Sequence, residues 1–352
     1  MTYDAILLAS FGGPEGPDDV IPFLENVTAG RNIPRERLEV VGQHYFRFGG
    51  VSPINQQNLD LIDELRHELK DRGVNIPIYF GNRNWKPYFV DAINDMQADE
   101  RSNVLALGTS AYSSYSGCRQ YRENIAKALT ETSSDINISM AHPYGNRLGF
   151  RTKPASVLID ALKFLVSENH QESAIQILFT THSIPTDSAL KSGPEPYVEP
   201  GEYIRQHEEV MHDMMKMVNI STLMKPPHQL VFQSRSGRPT DPWLEPDIND
   251  VIRELGVAGE TTAVVVVPIG FISDHMEVIW DLDNEAMATA EEANLMFVRI
   301  PTPGIDKDFV AALADVVEDA LYGDSTRSTP TGLCSGTCCP NPRAELATIP
   351  GV

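Results

Sequence analysis

The sequence predicts an α/β protein built from two similar doubly wound, Rossmann-like parallel-sheet domains. Short continuous apolar runs alternate with amphipathic helical stretches from end to end, the pattern of parallel sheets covered by helices on both faces. The runs also fall into two sets of four that echo each other in the same order. In this chain "ILLASFGGP" is echoed by "QILFTTHSIP", "PIYFGNRNWKP" by "QLVFQSRSGRP", "NVLALGTSAYSS" by "AVVVVPIGFISD" and "NISMAHPYG" by "LMFVRIPTPG".

Taken in order, the predicted strands are "AILLAS", "IPIYF", "NVLALG" and "INISMA" in the first set, and "AIQILFTT", "QLVFQ", "TAVVVVPI" and "NLMFVRI" in the second. Between them the helical stretch "INQQNLDLIDELRHELKDRG" places Leu59, Ile62, Leu65 and Leu69 on one face, with Gly73 as its C-terminal stop. The domains predicted are residues 1–150 and 151–305, joined near 146–155. A last helix over 306–322 is expected to pack back on the first domain, ahead of a cysteine-containing tail over 323–352.

Ligands of open parallel sheets bind outside the carboxyl ends of the strands. That rule selects Phe11–Pro14, Gly81–Trp85, Thr109–Tyr115, His182–Pro185, Gln233–Arg238 and Ile269–Glu277, segments rich in Gly, Ser, aromatic residues, His and Arg. A cleft between the two domains would be lined by both sets.

Charge narrows the partners. With 28 Lys and Arg against 49 Asp and Glu, the net charge of −21 repels a phosphate backbone, so nucleic acid is excluded as a partner. An anionic small molecule would need a local cluster of donors. Met1 leads straight into "TYDAILLAS" without a basic and then apolar leader, and no apolar run approaches the ~20 residues of a membrane span. A cytoplasmic, monomeric protein with reduced, buried or metal-bound cysteines is expected.

Two groups of residues carry chemistry. His182 follows a strand and can serve as a base or metal ligand near neutral pH, or can simply tie down its loop. In "SDHMEVIWDLDNEA", a helix starting near Ser273 or Asp274 would put Glu277, Asp281 and Glu285 in a row at i, i+4 and i+8. Such a row calls for a cation or a proton, although Asp274 with Glu277 also fits a capping box with the remaining acids solvated. His182 and Glu277 occupy corresponding places after the first and third strands of the second set, and together with the acidic row they suit a divalent borderline metal such as Fe²⁺, or equally the removal of protons from a bound ligand.

The second group is cysteine. Cys334, Cys338 and Cys339 crowd into "GLCSGTCCPNP", a segment too polar to dock by burying apolar area, while Cys118 stands alone in "SYSGCRQY". Three tail thiolates and one from the body make four soft ligands, the number that an iron–sulfur cluster or a tetrahedral zinc takes. The plain alternative is a disordered tail with reducible thiols.

"FTTHSIP", "FQSRSGRPTDPWLEPDI" and "PIGFISDHMEVIWDLDNEA" resemble the signature segments of the ferrochelatases, and "ASFGGPEGPDDVIPFLENV" and "RFGGVSPIN" resemble that family's N-terminal segments. The resemblance runs over roughly residues 3–322 and implies a chelatase fold with its active cleft between the domains. The tail and "SYSGCRQY" narrow it to the actinobacterial type that inserts Fe²⁺ into coproporphyrin III in haem biosynthesis, passing coprohaem to an accepting enzyme. It implies that His182 receives pyrrole protons or contacts iron, that Glu277 is its carboxylate partner, and that Asp281 and Glu285 extend a path for metal or protons. It implies propionate contacts by Ser52, Tyr121, Tyr45 and Arg31, and a 2Fe-2S cluster on Cys118, Cys334, Cys338 and Cys339. Phe11 departs from relatives that carry an iron-ligating Tyr there, and His44 stands where some relatives have Arg. Trp243 is expected to line the floor of the site. The competing readings are protoporphyrin IX as substrate, and a non-catalytic tetrapyrrole carrier or iron–sulfur sensor on the same fold.

Overall fold

The computed structural model describes residues 3–30, 32–236, 240–323, 334 and 337–352. The chain divides into two compact units. Unit 1 comprises Met1–Ser110, Tyr115–Pro143 and Leu313–Val352; unit 2 comprises Ala111–Ser114 and Tyr144–Ala312.

Unit 1 holds a parallel sheet of β1 (Ala5–Ser10), β2 (Ile78–Asn82), β3 (Asn103–Gly108) and β4 (Asn137–Met140), in the order β2-β1-β3-β4. Unit 2 repeats that order as β6-β5-β7-β8, with β5 (Ile175–His182), β6 (His228–Gln233), β7 (Ala263–Val267) and β8 (Met296–Arg299). All eight predicted runs form strands, and the echo between their two sets corresponds to one topology used twice. The central strands are apolar on both faces because both faces are covered. Ala5–Ser10 and Ala263–Val267 are buried at every residue.

Register brings the strand ends level. Ser10 pairs with Asn82 where β1 meets β2, and His182 pairs with Gln233 where β5 meets β6. The loops that follow therefore emerge side by side at one edge of each sheet.

The helix Ile54–Asp71 buries Ile62, Leu65 and Leu69 as expected, but its inward face includes Leu61 and not Leu59, which is 45% exposed. The buried stripe runs through Ile54, Asn58, Leu61, Leu65 and Leu69, and Leu59 lies off it. Gly73 ends the turn with φ +81, in the left-handed region that glycine enters without strain. The helix Lys307–Tyr322 is divided, with residues from Leu313 onward belonging to unit 1.

The end of the chain differs from the sequence expectation. Ile349 is 4% exposed and belongs to the apolar core of unit 1, with Ile138, Met140 and Ile125. Gly351 pairs in parallel with Met140, so the last residues lie along the outer edge of β4. Met140 N donates to Pro350 O at 2.9 Å, Val352 N to Met140 O at 2.8 Å and His142 N to Val352 O at 2.9 Å. The tail does dock by burying apolar area, about 1.5–3 kcal/mol for one isoleucine, supplemented by pairing that covers an open sheet edge.

Candidate active site

In unit 2 the site starts at the carboxyl end of β5. The His182 backbone is held there by the Tyr203 hydroxyl, which donates to the His182 carbonyl at 2.8 Å. The ring is oriented by Nδ1, 2.5 Å from the Ser183 carbonyl oxygen. A carbonyl only accepts, so in the neutral ring Nδ1 carries the hydrogen and Nε2 keeps its lone pair. Nε2 lies 3.9 Å from Oε2 of Glu277, and both side chains are partly open to solvent. The structure thus brings together the imidazole and carboxylate that the sequence singled out.

Glu277 sits in the first turn of the helix Met276–Trp280, which starts later than expected and takes His275 as its N-cap residue. Asp274 does not cap that helix. It pairs with Arg299 at 3.0 Å, and Arg299 also holds Asp283. His275 is half-buried and packs against the Phe271 ring, 5.2 Å between centroids, and its partial removal from water lowers its pKa.

The acidic row does not continue as one α-helical face. Residues Asp281–Ala286 form a π-helical turn before the chain returns to α-helix at Met287–Glu292. The wider turn suits contacts five residues apart: Trp280 Nε1 donates to Glu285 Oε1 at 2.9 Å, and Asn284 donates to the Ile279 carbonyl at 3.0 Å. Glu285 is exposed. Asp281 instead turns toward β6, where the Ser234 hydroxyl donates to it and Gln233 Nε2 lies at 3.3 Å. Burial pushes the Asp281 carboxyl up to about 7, with Glu277 and Glu285 adding to the rise. Ser234, at φ +61, makes the bend that aims its hydroxyl, and neither it nor Gln233 was assigned a role from sequence. Trp243 lies beside this loop, where its backbone bridges Pro185.

In unit 1 the corresponding edge is aromatic. Phe23, which the sequence did not single out, is ringed edge-on by Phe11, Tyr45 and Trp85 at 6.2, 5.9 and 6.3 Å. Ser52 is buried, with its amide donating to Pro14 O at 2.8 Å; a side chain on Gly13 would collide with it. Tyr121 is 3% exposed and packs in the core against Phe89. Arg83, immediately after β2, lies 4.8 Å from the Tyr121 ring and 5.6 Å from the Phe11 ring, and Asn124 accepts from its Nε at 2.8 Å. Burial lowers the Arg83 pKa. Its place directly after a strand is the signal that could have found it. Arg31 lies outside the described residues.

The cysteines also meet in unit 1. Cys118, on a π-helical turn before the helix Gln120–Glu131, is hydrogen-bonded to Cys334; Cys334 is bonded in turn to Cys338, and the Cys338 and Cys339 sulfurs are 3.8 Å apart. Donation from Cys118 and Cys338, with His142 Nδ1 at 3.3 Å, lowers the pKa of Cys334, while the thiols of Cys118 and Cys338 are pushed up. Among the described residues no group of three or more His, Cys, Asp or Glu side chains is arranged to hold a single metal ion.

The tail is anchored by charged residues of the Cys118 segment. Arg119 pairs with Glu123 in a buried ion pair at 3.1 Å, and Asn341 donates to Glu123 at 3.0 Å. Arg122 Nε donates to Ile349 O at 2.8 Å. Arginines in "GCRQYRE" next to a cysteine were the available sequence signal.

A parallel α/β unit with an imidazole and a carboxylate facing each other where its strands end is an arrangement able to move protons or a metal on a bound ligand. A family model described as Ferrochelatase matches residues 3–321. The chain is 49% identical over 354 residues to a coproporphyrin III ferrochelatase of Streptomyces coelicolor, covering 96% of this chain and 93% of that one. It is 47% identical to a coproporphyrin III ferrochelatase of Leifsonia xyli subsp. xyli, covering 97% and 92%. Among solved structures it is similar to the sirohydrochlorin chelatase SirB from Bacillus subtilis subspecies spizizenii, with a TM-score of 0.48, 11% identity, and coverage of 92% and 97%. The chain belongs to the ferrochelatase family, lyases of porphyrin and haem biosynthesis that insert iron into a porphyrin.

Proposed function

We propose that the chain inserts Fe²⁺ into coproporphyrin III to give coprohaem, with His182 and Glu277 performing the proton and metal step. The observation that carries this reading is the His182 ring held at Nδ1 by the Ser183 carbonyl, which turns Nε2 toward Glu277. Metal insertion must strip the pyrrole nitrogens of their protons as iron arrives. A neutral imidazole takes a pyrrole proton, and the Glu277 carboxylate stabilises the imidazolium that results. The macrocycle nitrogens supply the in-plane donors, so the substrate iron does not need a preformed cage of protein ligands. Asp281, with a pKa of about 7, can take or give the proton next, and Glu285 stands exposed one turn beyond. Phe11 has no atom to ligate the product iron.

The substrate assignment rests on charge and on kinship. A four-carboxylate porphyrin needs cations in a chain of net charge −21, and Arg83 beside Tyr121 places one at a strand end. We assign propionate contacts to that corner, to Tyr45 and Ser52, and to Arg31. The names of the relatives support coproporphyrin III over protoporphyrin IX. No described helix is long and apolar enough to cross a membrane. The reading includes a cytoplasmic monomer handing coprohaem to a downstream enzyme.

The cysteine group fits a 2Fe-2S cluster by its donor set: four soft ligands gathered around Cys334, with a cation buried beside them. Cys118, Cys334, Cys338 and Cys339 would hold it, and it would supply a redox-sensitive tie between tail and body.

The test offers Fe²⁺ with coproporphyrin III and with protoporphyrin IX to purified protein. Faster insertion into coproporphyrin III is expected; a clear preference for protoporphyrin IX rejects the substrate assignment.

A further inference from the structure

We propose that Arg122 is the counter-charge of the cysteine group and raises the reduction potential of the 2Fe-2S cluster held there; this rests on the cluster reading above. Arg122 is 2% exposed. Its Nε donates to Ile349 O at 2.8 Å and its Nη2 lies 3.4 Å from Cys334 O, whereas Nη1 is buried with no hydrogen-bond partner among the described residues. An arginine does not give up its charge, and burying a cation is costly unless an anion lies close by.

Among the described residues, the carboxylate next to it in the chain does not supply that anion. Glu123, next in sequence, is committed to Arg119, Tyr115 and Asn341. Two of the three Arg122 nitrogens grip backbone carbonyls of the tail, one of them belonging to Cys334 itself. The arginine is therefore held against the cysteines with donor capacity left over, and its charge acts on the Cys118 sulfur.

A cluster bound by four thiolates is anionic, and reduction adds another negative charge. A fixed cation at its side favours the reduced state more than the oxidised one, and hydrogen bonds toward the sulfurs act in the same direction. The bland role for Arg122, a clamp on the tail, uses Nε and Nη2 and leaves Nη1 without a reason to be buried unpaired. Glycine at position 351 belongs to the same fit: a side chain there would sit 2.6 Å from the Cys334 Cβ.

The test compares full-length wild type with Arg122→Met and Arg122→Lys, all purified anaerobically. Iron and acid-labile sulfide are counted, and the midpoint potential is measured by mediated titration of the visible absorption. The expected result is a more negative potential in Arg122→Met, or loss of its cluster, with Arg122→Lys remaining near wild type in both respects. Full cluster content and an unchanged potential in Arg122→Met would overturn the proposal. So would equal loss of the cluster from both variants, since lysine keeps the charge. Wild-type protein lacking iron and sulfide would instead bring down the cluster reading itself, and Arg122 with it.

Discussion

Nε2 of His182 faces Oε2 of Glu277 across 3.9 Å, a gap slightly too wide for a direct hydrogen bond. The pair is poised, with one group able to accept a proton and the other able to stabilise the resulting charge. Four predictions surround it, and a fifth tests it.

Asp281 should make the protein less stable as pH rises. Its carboxyl is raised from 3.8 to about 7, so between those values the folded state keeps a proton that the unfolded chain releases. Stability then falls with increasing pH across that window and levels off above it. Asp281→Asn should match wild type near pH 4 and exceed it at pH 8 in thermal unfolding of iron-free protein. Equal melting temperatures at pH 8 would show that the carboxylate carries no burial penalty.

His207 should do the opposite over an overlapping window. It is fully buried, stacked on Tyr112 with centroids 3.7 Å apart, and its Nδ1 donates to Tyr203 O at 2.6 Å. Burial lowers its pKa from 6.5 to about 4, so the unfolded chain takes up a proton that the folded state refuses. Its contribution is complete above pH 6.5 and is lost as pH falls toward 4, by about 3 kcal/mol at most. Because Asp281 and His207 oppose each other, wild type alone cannot reveal either. Denaturant titrations of His207→Gln at pH 7 and pH 5 should show a smaller loss on acidification than wild type.

Cys118→Ser should bleach the visible absorption without freeing the last residues of the chain. Ile349 in the core and the pairing along β4 hold the tail independently of sulfur. Limited proteolysis should therefore cut Ile349→Asp faster than Cys118→Ser. A tail released equally by both changes would show that its docking depends on the cysteine group as much as on Ile349.

On the helix Ile54–Asp71, Leu61→Ala should cost about 2–5 kcal/mol and Leu59→Ala within about 0.5 kcal/mol, because only Leu61 is enclosed. Urea midpoints of the two variants decide the point, and similar losses would contradict the observed burial.

Those two leucines also mark how far the sequence could be read. Strands such as Ala263–Val267 were legible because a strand covered on both faces is apolar throughout, whatever its register. A helical stripe admits neighbouring solutions, and Leu59 fits the i, i+3 spacing as readily as Leu61. His182 and Glu277 were legible through their places after strands and through the segments shared with the family. The fate of Glu285 was not, since the spacing rule assumes 3.6 residues per turn and a π-helical turn intervenes at Asp281–Ala286. The docking of the tail was hidden for a different reason. It depends on one isoleucine and on backbone pairing that any residue can make, so "TIPGV" carries almost no compositional trace of it.

The most direct measurement is the rate of Fe²⁺ insertion into coproporphyrin III by Glu277→Gln and His182→Ala, alongside coproporphyrin III affinity measured by fluorescence quenching. Removing the base or its partner should lower the insertion rate by about 10²–10⁴-fold. Porphyrin affinity should stay close to wild type, since the donors proposed for its carboxylates are other residues. Near wild-type insertion by either variant would contradict the account.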